Sequence, residues 1–362
     1  MKLGILGPAN SIHTIKLVNK LVENKFEVVL ISLLEHRNKG SNINADVRYL
    51  RVGGNKGYYL NFKQLKSLII SENVDILNAH YASGYGTLGR LINFHPYIVS
   101  VWGSDIYEFP RRNILCKRII MKNLRKADSI FSTSRCMAFE TKKYCDKNKK
   151  IAVTPFGVDL NTFKPVEKTK SHSQITIGFL KGTDYVYGID IFLEVARELK
   201  LRLKKEACNL KVIICGGGTR IDEIKGKIEA LKLEDIVEFK GLVPHIDMPS
   251  VINSCDIVCI PSLSESFGVV AIEAMACGVP CITSNAPGLK EVVRDGETGF
   301  VINGDSIQYA DKMINLINDR AQIVRMGEQA RRHVEKNYNF NDNVKEYISA
   351  LCECYDSMRK PE

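Results

Sequence analysis

The chain contains 362 residues, of which 45% are hydrophobic and 25% charged, and it carries a formal net charge of +10. This length predicts two domains, because single cores rarely grow beyond about 250–300 residues, and no apolar run approaches the roughly 18–20 residues needed to span a bilayer. The positive charge suits a phosphate-bearing ligand, an anionic membrane or a nucleic acid, but a solvated lysine-rich surface explains it equally well.

Strand-like runs alternate with helical segments through the first half of the chain. The N-terminal stretch KLGILG predicts a first strand rather than a signal peptide, and a helix is predicted over residues 12–24. Further strands are predicted at FEVVLIS, DILNAH, YIVSVWG and SIFSTS. Such alternation is typical of a parallel β-sheet covered by helices on both faces.

A second α/β series follows an irregular connector. Two prolines and a glycine interrupt residues 153–165, and the polar residues 166–174 predict a linker. The later strands are predicted at ITIGFLKG, KVIICGGG, IVEFKGLV, IVCIPS and VPCITSN. Two such halves predict a cleft between them, and ligands of open α/β sheets bind beyond the carboxyl ends of the strands.

The final segment, residues 341–360, predicts an amphipathic helix with a period of about 3.6 residues. Its apolar face is formed by Val344, Tyr347, Ile348, Leu351 and Tyr355. The helix therefore has one face that must pack against another part of the protein.

Two glutamates, Glu265 and Glu273, are separated by seven residues in a segment that is otherwise apolar and rich in glycine. The stretch FGVVAIEAMACG predicts a helix that Gly278 ends, so its N-terminus would attract phosphate or oxygen-rich ligands. A carboxylate can accept two hydrogen bonds from a sugar diol. The alternatives are a helix-dipole charge for Glu265 and a buried salt bridge for Glu273.

These glutamates and the following AMACGVPCITSNAPGLKEVVRDGETGFVI resemble the EX7E region of the GT4 family of retaining glycosyltransferases. PFGVDLNTFKP, GFLKGTDYVYGIDIFLEVARELK and the stretch from GGGTRIDEIK to DIVCIPS are similar to further family segments in the same order. The resemblance implies an α/β GT-B fold, in which two Rossmann-like domains face each other across a cleft. The acceptor-binding domain would span residues 1–165, the nucleotide-sugar-binding domain 174–337, and a helix over 338–362 would pack back on the first domain.

The resemblance also implies roles for the second domain. Glu273 would hold the donor ribose, and Glu265 would lie by the donor sugar and the reacting centre. The backbone N–H groups of Phe267 and Gly268 would contact sugar hydroxyls and phosphate. Lys181 would neutralise the donor diphosphate, with a surface lysine as the alternative. A second base is usual in the family, but Tyr187 occupies its position. The alternatives are that Lys181 acts with the helix dipole and that another base comes from elsewhere in the chain.

In the first domain the resemblance implies a role for Gly7, which follows the first strand, near the donor phosphates and the acceptor. We predict His80 and Asp105, each at a strand end, as polar groups on the acceptor side, although a lone histidine is often structural. Many relatives carry a histidine where this chain has Trp102. This chain therefore lacks the function that the histidine side chain would have at that position.

Residues 110–130 predict a basic amphipathic helix. Such a helix can lie on an anionic membrane, and lipid-linked acceptors are common in the family; a core-packed helix with a solvated basic face is the alternative. The apolar and basic residues that alternate along it are Ile114, Ile119, Ile120, Leu124 and Ile130, and Arg111, Arg112, Lys117, Arg118, Lys122, Arg125 and Lys126.

We therefore predict a retaining hexosyltransferase that moves a sugar from a nucleotide-diphosphate-sugar to a glycan or lipid-linked hydroxyl acceptor, in cell-surface polysaccharide or glycolipid synthesis. No DxD motif stands in a suitable loop, so we expect no metal and no other cofactor. The alternatives are a non-catalytic nucleotide-sugar or glycan-binding protein and a Rossmann dehydrogenase, whose GxGxxG spacing is missing. We expect no nucleic-acid partner.

The eleven cysteines lack zinc-ligand spacing and most lie in apolar contexts, which predicts reduced thiols in a cytoplasmic protein. The basic helix would allow this protein to contact the inner face of the cell membrane. Donor base, donor sugar and acceptor identity stay open at this point, as does the linkage.

Overall fold

The computed structural model describes residues 1–166, 174–203 and 209–358. The chain divides into two compact units, one formed by residues 1–156 with the chain from Asn341 onward, the other by residues 157–340. The predicted domain boundary at residue 165 is therefore too late. The guanidinium of Arg331 donates to the Phe163 carbonyl at 2.7 Å, which fastens the connector to the second unit. Residues 167–173 of the predicted linker lie outside the described residues, and its last residue, Gln174, is the first residue of a strand in the second unit.

The described part of the first unit contains a seven-stranded parallel sheet in the order β3-β2-β1-β4-β5-β6-β7. Its five inner strands are almost entirely buried, as expected where helices cover both faces of a sheet. The strands of the sheet are β1 (Lys2–Leu6), β2 (Glu27–Leu33), β3 (Asp46–Leu50), β4 (Ile76–His80), β5 (Tyr97–Val101), β6 (Ser129–Ser132) and β7 (Ile151–Val153). The predicted strands are present, whereas β3 and β7, the two edge strands, were not predicted.

Helices connect these strands, and one of them differs from its prediction. They are α1 (Ile12–Glu23), α2 (Gly54–Leu60), α3 (Phe62–Ser71), α4 (Gly84–Ile92), α5 (Ser104–Tyr107), α6 (Phe109–Arg112), α7 (Ile114–Lys126) and α8 (Arg135–Thr141). The single basic helix predicted over residues 110–130 is wrong, because the extended backbone of Asn113 separates α6 from α7. The Asn113 side chain accepts a hydrogen bond from the Cys116 N–H at 2.9 Å and so starts α7 as its N-cap.

The described part of the second unit contains a six-stranded parallel sheet in the order β10-β9-β8-β11-β12-β13. Its strands are β8 (Gln174–Phe179), β9 (Asn209–Cys215), β10 (Val237–Gly241), β11 (Ile257–Ile260), β12 (Cys281–Ser284) and β13 (Gly299–Ile302). Its helices are α9 (Ile189–Leu203), α10 (Ile221–Ala230), α11 (Met248–Ser254), α12 (Val269–Ala276), α13 (Pro287–Val292), α14 (Ser306–Asn318) and α15 (Arg320–Asn337). The edge strand β13 was not predicted.

The last helix, α16 (Phe340–Ser357), packs on the first unit, as predicted. The Asn78 amide of β4 donates a buried hydrogen bond to the Tyr347 hydroxyl at 2.6 Å, and the Phe131 ring of β6 meets the Tyr347 ring edge-on. Leu351 is fully buried beside them. One face of the first sheet is thus covered by a helix from the far end of the chain. Within the described residues, no helix combines the length and apolar character needed to cross a membrane.

Candidate functional site

In the second unit, the loops that follow β8 and β11 bring two predicted site residues together. The Lys181 ammonium lies 2.5 Å from the Glu265 carboxylate, and the two side chains are only 12% and 14% exposed. The same ammonium lies 4.9 Å from the centre of the Tyr187 ring, within the range of a cation–π interaction. Tyr187, which stands where a second base is usual, therefore orients the one predicted base.

Glycines allow these loops to approach each other. Gly188 has a φ of +73°, and a Cβ there would overlap the Pro261 carbonyl oxygen. A second contact between the loops is the hydrogen bond that the Leu263 N–H donates to the Val186 carbonyl, at 2.8 Å. The Lys181 loop and the Glu265 loop consequently form one packed layer at the carboxyl edge of the sheet.

Helix α12 begins directly after this loop. Gly268 is its N-cap, with a φ of +105° that glycine adopts without strain, and Phe267 before it is buried against Tyr338. The Gly288 N–H of α13 donates to the Glu265 carbonyl at 3.0 Å. Phe267 and Gly268 thus lie where the sequence places them, at the start of a helix.

Glu273 lies within α12, 5% exposed, and its partner is a histidine. Its Oε1 is hydrogen-bonded to His245 Nε2 at 2.9 Å, and the His245 ring meets the Phe163 ring edge-on at 5.3 Å. Sequence reasoning missed His245. It follows β10 at the carboxyl edge of the same sheet, which is the signal that could have identified it.

In the first unit, Asp105 joins two loops through its buried carboxylate. Its Oδ2 accepts from the Ala82 N–H at 2.7 Å, and its Oδ1 accepts from the N–H groups of Gly103 at 2.9 Å and Trp102 at 3.1 Å. Burial raises the pKa of this carboxyl, and the backbone donors oppose that shift. Asp105 thus fixes the loops after β4 and β5 relative to each other.

His80 is completely buried. Its Nδ1 is 3.3 Å from the Thr14 hydroxyl, its ring lies 4.4 Å from the Trp102 ring, and a Cβ on Gly7 would lie 3.0 Å from its Nδ1. Burial lowers the pKa of His80 to about 3, so the imidazole is neutral at physiological pH. The acceptor roles of His80 and Asp105 remain predictions, and in this structure His80 packs Gly7 against Trp102.

A cavity of about 770 Å³ lies at the carboxyl edge of the first sheet. Asp105 contributes to its wall, and so do residues that sequence reasoning did not assign to a ligand site. Among these are Asn10, His36, Tyr58, Tyr81, Tyr85 and Arg112. The tyrosines come from α2, from the loop after β4 and from the first turn of α4, which tertiary packing brings together.

A metal site is not evident in the described ranges, 1–166, 174–203 and 209–358. No group of three or more His, Cys, Asp or Glu side chains that could hold a metal ion occurs there. The prediction that no metal is required stays a prediction, since a bound nucleotide can itself supply metal ligands.

Comparisons with known proteins cover most of the chain. Residues 161–333 match the family described as glycosyl transferases group 1, and residues 2–134 match the family described as glycosyl transferase 4-like. N-acetyl-alpha-D-glucosaminyl L-malate synthase of Bacillus anthracis is 27% identical over 306 residues, which are 80% of this chain and 76% of that protein.

Several solved structures share the fold, and the two described next are each 17% identical in sequence to this chain. Sucrose-phosphate synthase from Thermosynechococcus elongatus aligns with a TM-score of 0.86. The alignment covers 99% of this chain and 100% of the synthase chain. HepE of Anabaena, in complex with UDP and glucose, aligns with a TM-score of 0.79. The alignment covers 98% of this chain and 100% of the HepE chain. At this identity the likeness concerns the fold, and it holds across both units.

Replacing Gly288 by alanine should destabilise the second unit. The new Cβ would overlap the Phe267 nitrogen and lie 2.5 Å from the Ser266 carbonyl carbon and 2.8 Å from the Glu265 oxygen, all backbone atoms. We expect a loss of roughly 1–3 kcal/mol in the free energy of unfolding, measured by urea denaturation. Gly226→Ala is the control, because it lies in α10 with nothing within 4 Å. Equal stability of the two variants would contradict this packing.

Lowering the pH should weaken the first unit through His80. The folded pKa of about 3 lies below the ordinary 6.5, so the unfolded chain binds an extra proton between these values. Stability is therefore full above pH 6.5 and decreases as the pH falls towards 3. Between pH 7 and pH 5 we expect this group to cost about 2 kcal/mol.

The measurement is urea unfolding followed by the fluorescence of Trp102, the one tryptophan of the sequence. His80→Gln removes the titrating group, and His36 and His333, whose pKa values burial also lowers, remain in both proteins. The wild type should lose about 2 kcal/mol more than the variant. An identical pH dependence would mean that His80 is accessible to protons in the folded state.

Proposed function

The chain belongs to the GT4-type, group 1 glycosyltransferases with the GT-B fold, and from this premise we propose that it transfers the sugar of a nucleotide-diphosphate-sugar to a hydroxyl acceptor with retention at the anomeric carbon. Its family confirms the prediction of a transferase enzyme over a non-catalytic binding protein. The finer assignments, namely donor, acceptor and stereochemistry, are argued from the residues of the two units.

The observation that carries the donor assignment is the Lys181–Glu265 pair beside the start of α12. A cation and a helix N-terminus at one sheet edge suit the diphosphate of an activated sugar. The related fold of HepE, crystallised with UDP and glucose, supports this donor class. Lys181 would bind the diphosphate, and Glu265, its present partner, would turn to the donor sugar.

Glu273 would bind the ribose of the donor. His245 holds one of its oxygens at 2.9 Å, which fixes the rotamer of a carboxylate that is otherwise buried among apolar residues of α12. A carboxylate held in this way can accept hydrogen bonds from a vicinal diol without paying the entropy of ordering its own side chain.

The reaction replaces one bond at the anomeric carbon. The bond to the diphosphate oxygen breaks while the acceptor hydroxyl oxygen forms its bond on the same face, and the hydroxyl proton passes to the departing phosphate. The diphosphate keeps the bonding electron pair, so its negative charge grows, and a cation already in place lowers the barrier. This front-side course, which the family resemblance implies, accounts for retention without a covalent enzyme intermediate.

The acceptor would bind in the first unit, where the cavity offers hydroxyl, amide and aromatic groups. The name of the Bacillus relative specifies a glucosaminyl L-malate product, which shows that acceptors of such enzymes need not be polysaccharides. For this chain we propose a sugar-containing acceptor in cell-surface polysaccharide or glycolipid synthesis.

Helix α7 carries a surface suited to an anionic membrane, which we call the α7 surface. Ile114 and Leu115 are 60% and 63% exposed, and Lys117, Arg118 and Lys122 follow on the same helix. Aliphatic side chains beside lysine and arginine favour the interface of anionic lipids. We therefore propose a cytoplasmic protein in peripheral contact with the inner face of the membrane.

A thermal-shift panel of UDP-, GDP- and ADP-sugars tests the donor proposal. One donor should raise the melting temperature, and the shift should persist in EDTA, because Lys181 and the α12 N-terminus supply the positive charge. A shift that EDTA abolishes would refute metal-independent binding. The absence of a shift with every donor would refute the donor site itself.

Glu273→Gln should weaken binding of that donor about tenfold or more, because a charged acceptor for the diol is lost. Calorimetric titration measures this effect directly. The matched control is Glu229→Gln, an exposed carboxylate on α10 that should leave the affinity unchanged. Equal donor affinity of the Glu273 variant and the wild type would rule out the ribose assignment.

Co-sedimentation with vesicles tests the α7 surface. The wild type should bind phosphatidylglycerol vesicles at low salt more strongly than phosphatidylcholine vesicles, and Ile114→Ser with Leu115→Ser should weaken binding about tenfold. Ile70→Ser, which changes an isoleucine of α3 that is 67% exposed, is the control. No sedimentation of the wild type at low salt would end the membrane proposal.

A further inference from the structure

The first-unit cavity combines aromatic walls with a single cation. Its tyrosines come from α2 and from the chain after β4, and Phe109 and Arg112 come from α6. The Tyr58 and Tyr85 rings meet edge-on with centroids 5.2 Å apart, and the Arg112 guanidinium lies 5.7 Å from the centre of the Phe109 ring. The Tyr58 and Tyr85 rings of the wall therefore hold each other in place.

The described lining of this cavity contains one carboxylate, Asp105, and one guanidinium, Arg112, and the two groups differ in their hydrogen-bond partners. Three backbone N–H groups bind the carboxylate of Asp105, so its negative charge is compensated locally. The Glu35 carboxylate, which is outside the described lining, accepts a hydrogen bond from the Gly54 N–H. Burial lowers the pKa of His36, whose Nδ1 is bonded to the Tyr85 hydroxyl at 2.7 Å, and burial together with the nearby Glu35 charge raises the pKa of Tyr58 to about 12. At neutral pH both of these groups are uncharged.

Arg112 remains as the permanent cation. Among the described residues it has no carboxylate within ion-pair distance, whereas its neighbour Arg111 pairs with Glu140 at 3.2 Å. A guanidinium without a counter-ion at a cavity wall favours phosphate and carboxylate ligands, because its planar fork matches their oxygens. The aromatic rings beside it suit the apolar face of a sugar ring.

We propose that Arg112 determines acceptor specificity by binding a phosphate or carboxylate group of the acceptor, so that the acceptor is an acidic sugar or polyol. The ring of the acceptor would lie against the tyrosines, and its hydroxyl groups would contact the side chains of Asn10 and Asn55. The anionic group of the acceptor would contact the Arg112 guanidinium. This inference rests on the proposed function, since it names the substrate class that the first unit accepts.

Trp102 provides a local readout, because it is the one tryptophan of the sequence and its ring lies 5.0 Å from that of Tyr81 in the cavity wall. Its fluorescence is titrated at constant ionic strength with glucose 1-phosphate, glucuronate and glucose. The two anionic sugars should give a saturable change at concentrations about tenfold lower than glucose.

Arg112→Ala should remove this preference, and Arg112→Lys, which keeps the charge without the fork, should retain part of it. Arg111→Ala is the matched control and should behave as the wild type, since Arg111 is absent from the described cavity lining. Phosphatidylcholine vesicles with and without phosphatidylinositol form a further arm. A response that depends on Arg112 and occurs only with phosphatidylinositol assigns the anion to a lipid headgroup, and one with the soluble sugars assigns it to a free acceptor.

Equal affinity for glucose and glucuronate, or unchanged titrations in Arg112→Ala, would overturn the inference. The donor panel separates this failure from failure of the proposed function, because donor binding depends on Lys181 and Glu273 in the second unit. A protein that binds a nucleotide-sugar but shows no preference for anionic sugars would keep its function and have a neutral acceptor.

Discussion

The ion pair between Lys181 and Glu265 is the interaction on which the second unit's site depends. Both side chains are largely buried, so each would carry a desolvation cost without the other. The pair joins the loops after β8 and β11 and leaves a cation and a carboxylate beside the first turn of α12. Charge that develops on a leaving diphosphate would therefore meet a cation, Lys181, whose position is already set, which is the condition for electrostatic catalysis.

Backbone proximity makes this pairing possible. Gly188 packs against the Pro261 carbonyl with a positive φ, and Gly288 packs against the chain at Glu265 and Phe267. A side chain at either position would separate segments that must touch. The charged groups are thus placed by residues that have no side chain, and the chemistry of the loop depends on main-chain packing.

Aromatic residues stand at two positions where the family resemblance leads us to expect basic or imidazole side chains. Tyr187 places its ring under the Lys181 ammonium, and Trp102 packs between His80 and Tyr81. Each of these aromatic rings packs against a side chain of the candidate sites, Tyr187 against Lys181 and Trp102 against His80. In the first unit the guanidinium in the described cavity lining is that of Arg112, in α6.

The sequence by itself determined the two parallel α/β units, most of their strands, and the helix that carries Glu273, because apolar periodicity and glycine positions are local signals. It missed β3, β7 and β13, which are edge strands that are recognised by pairing with a neighbour. Only the tertiary structure decided that Glu273 meets His245, that His80 is buried and that Arg112 faces a cavity. Those facts depend on contacts between residues distant in the chain, and such contacts follow from how helices and strands pack rather than from any local pattern.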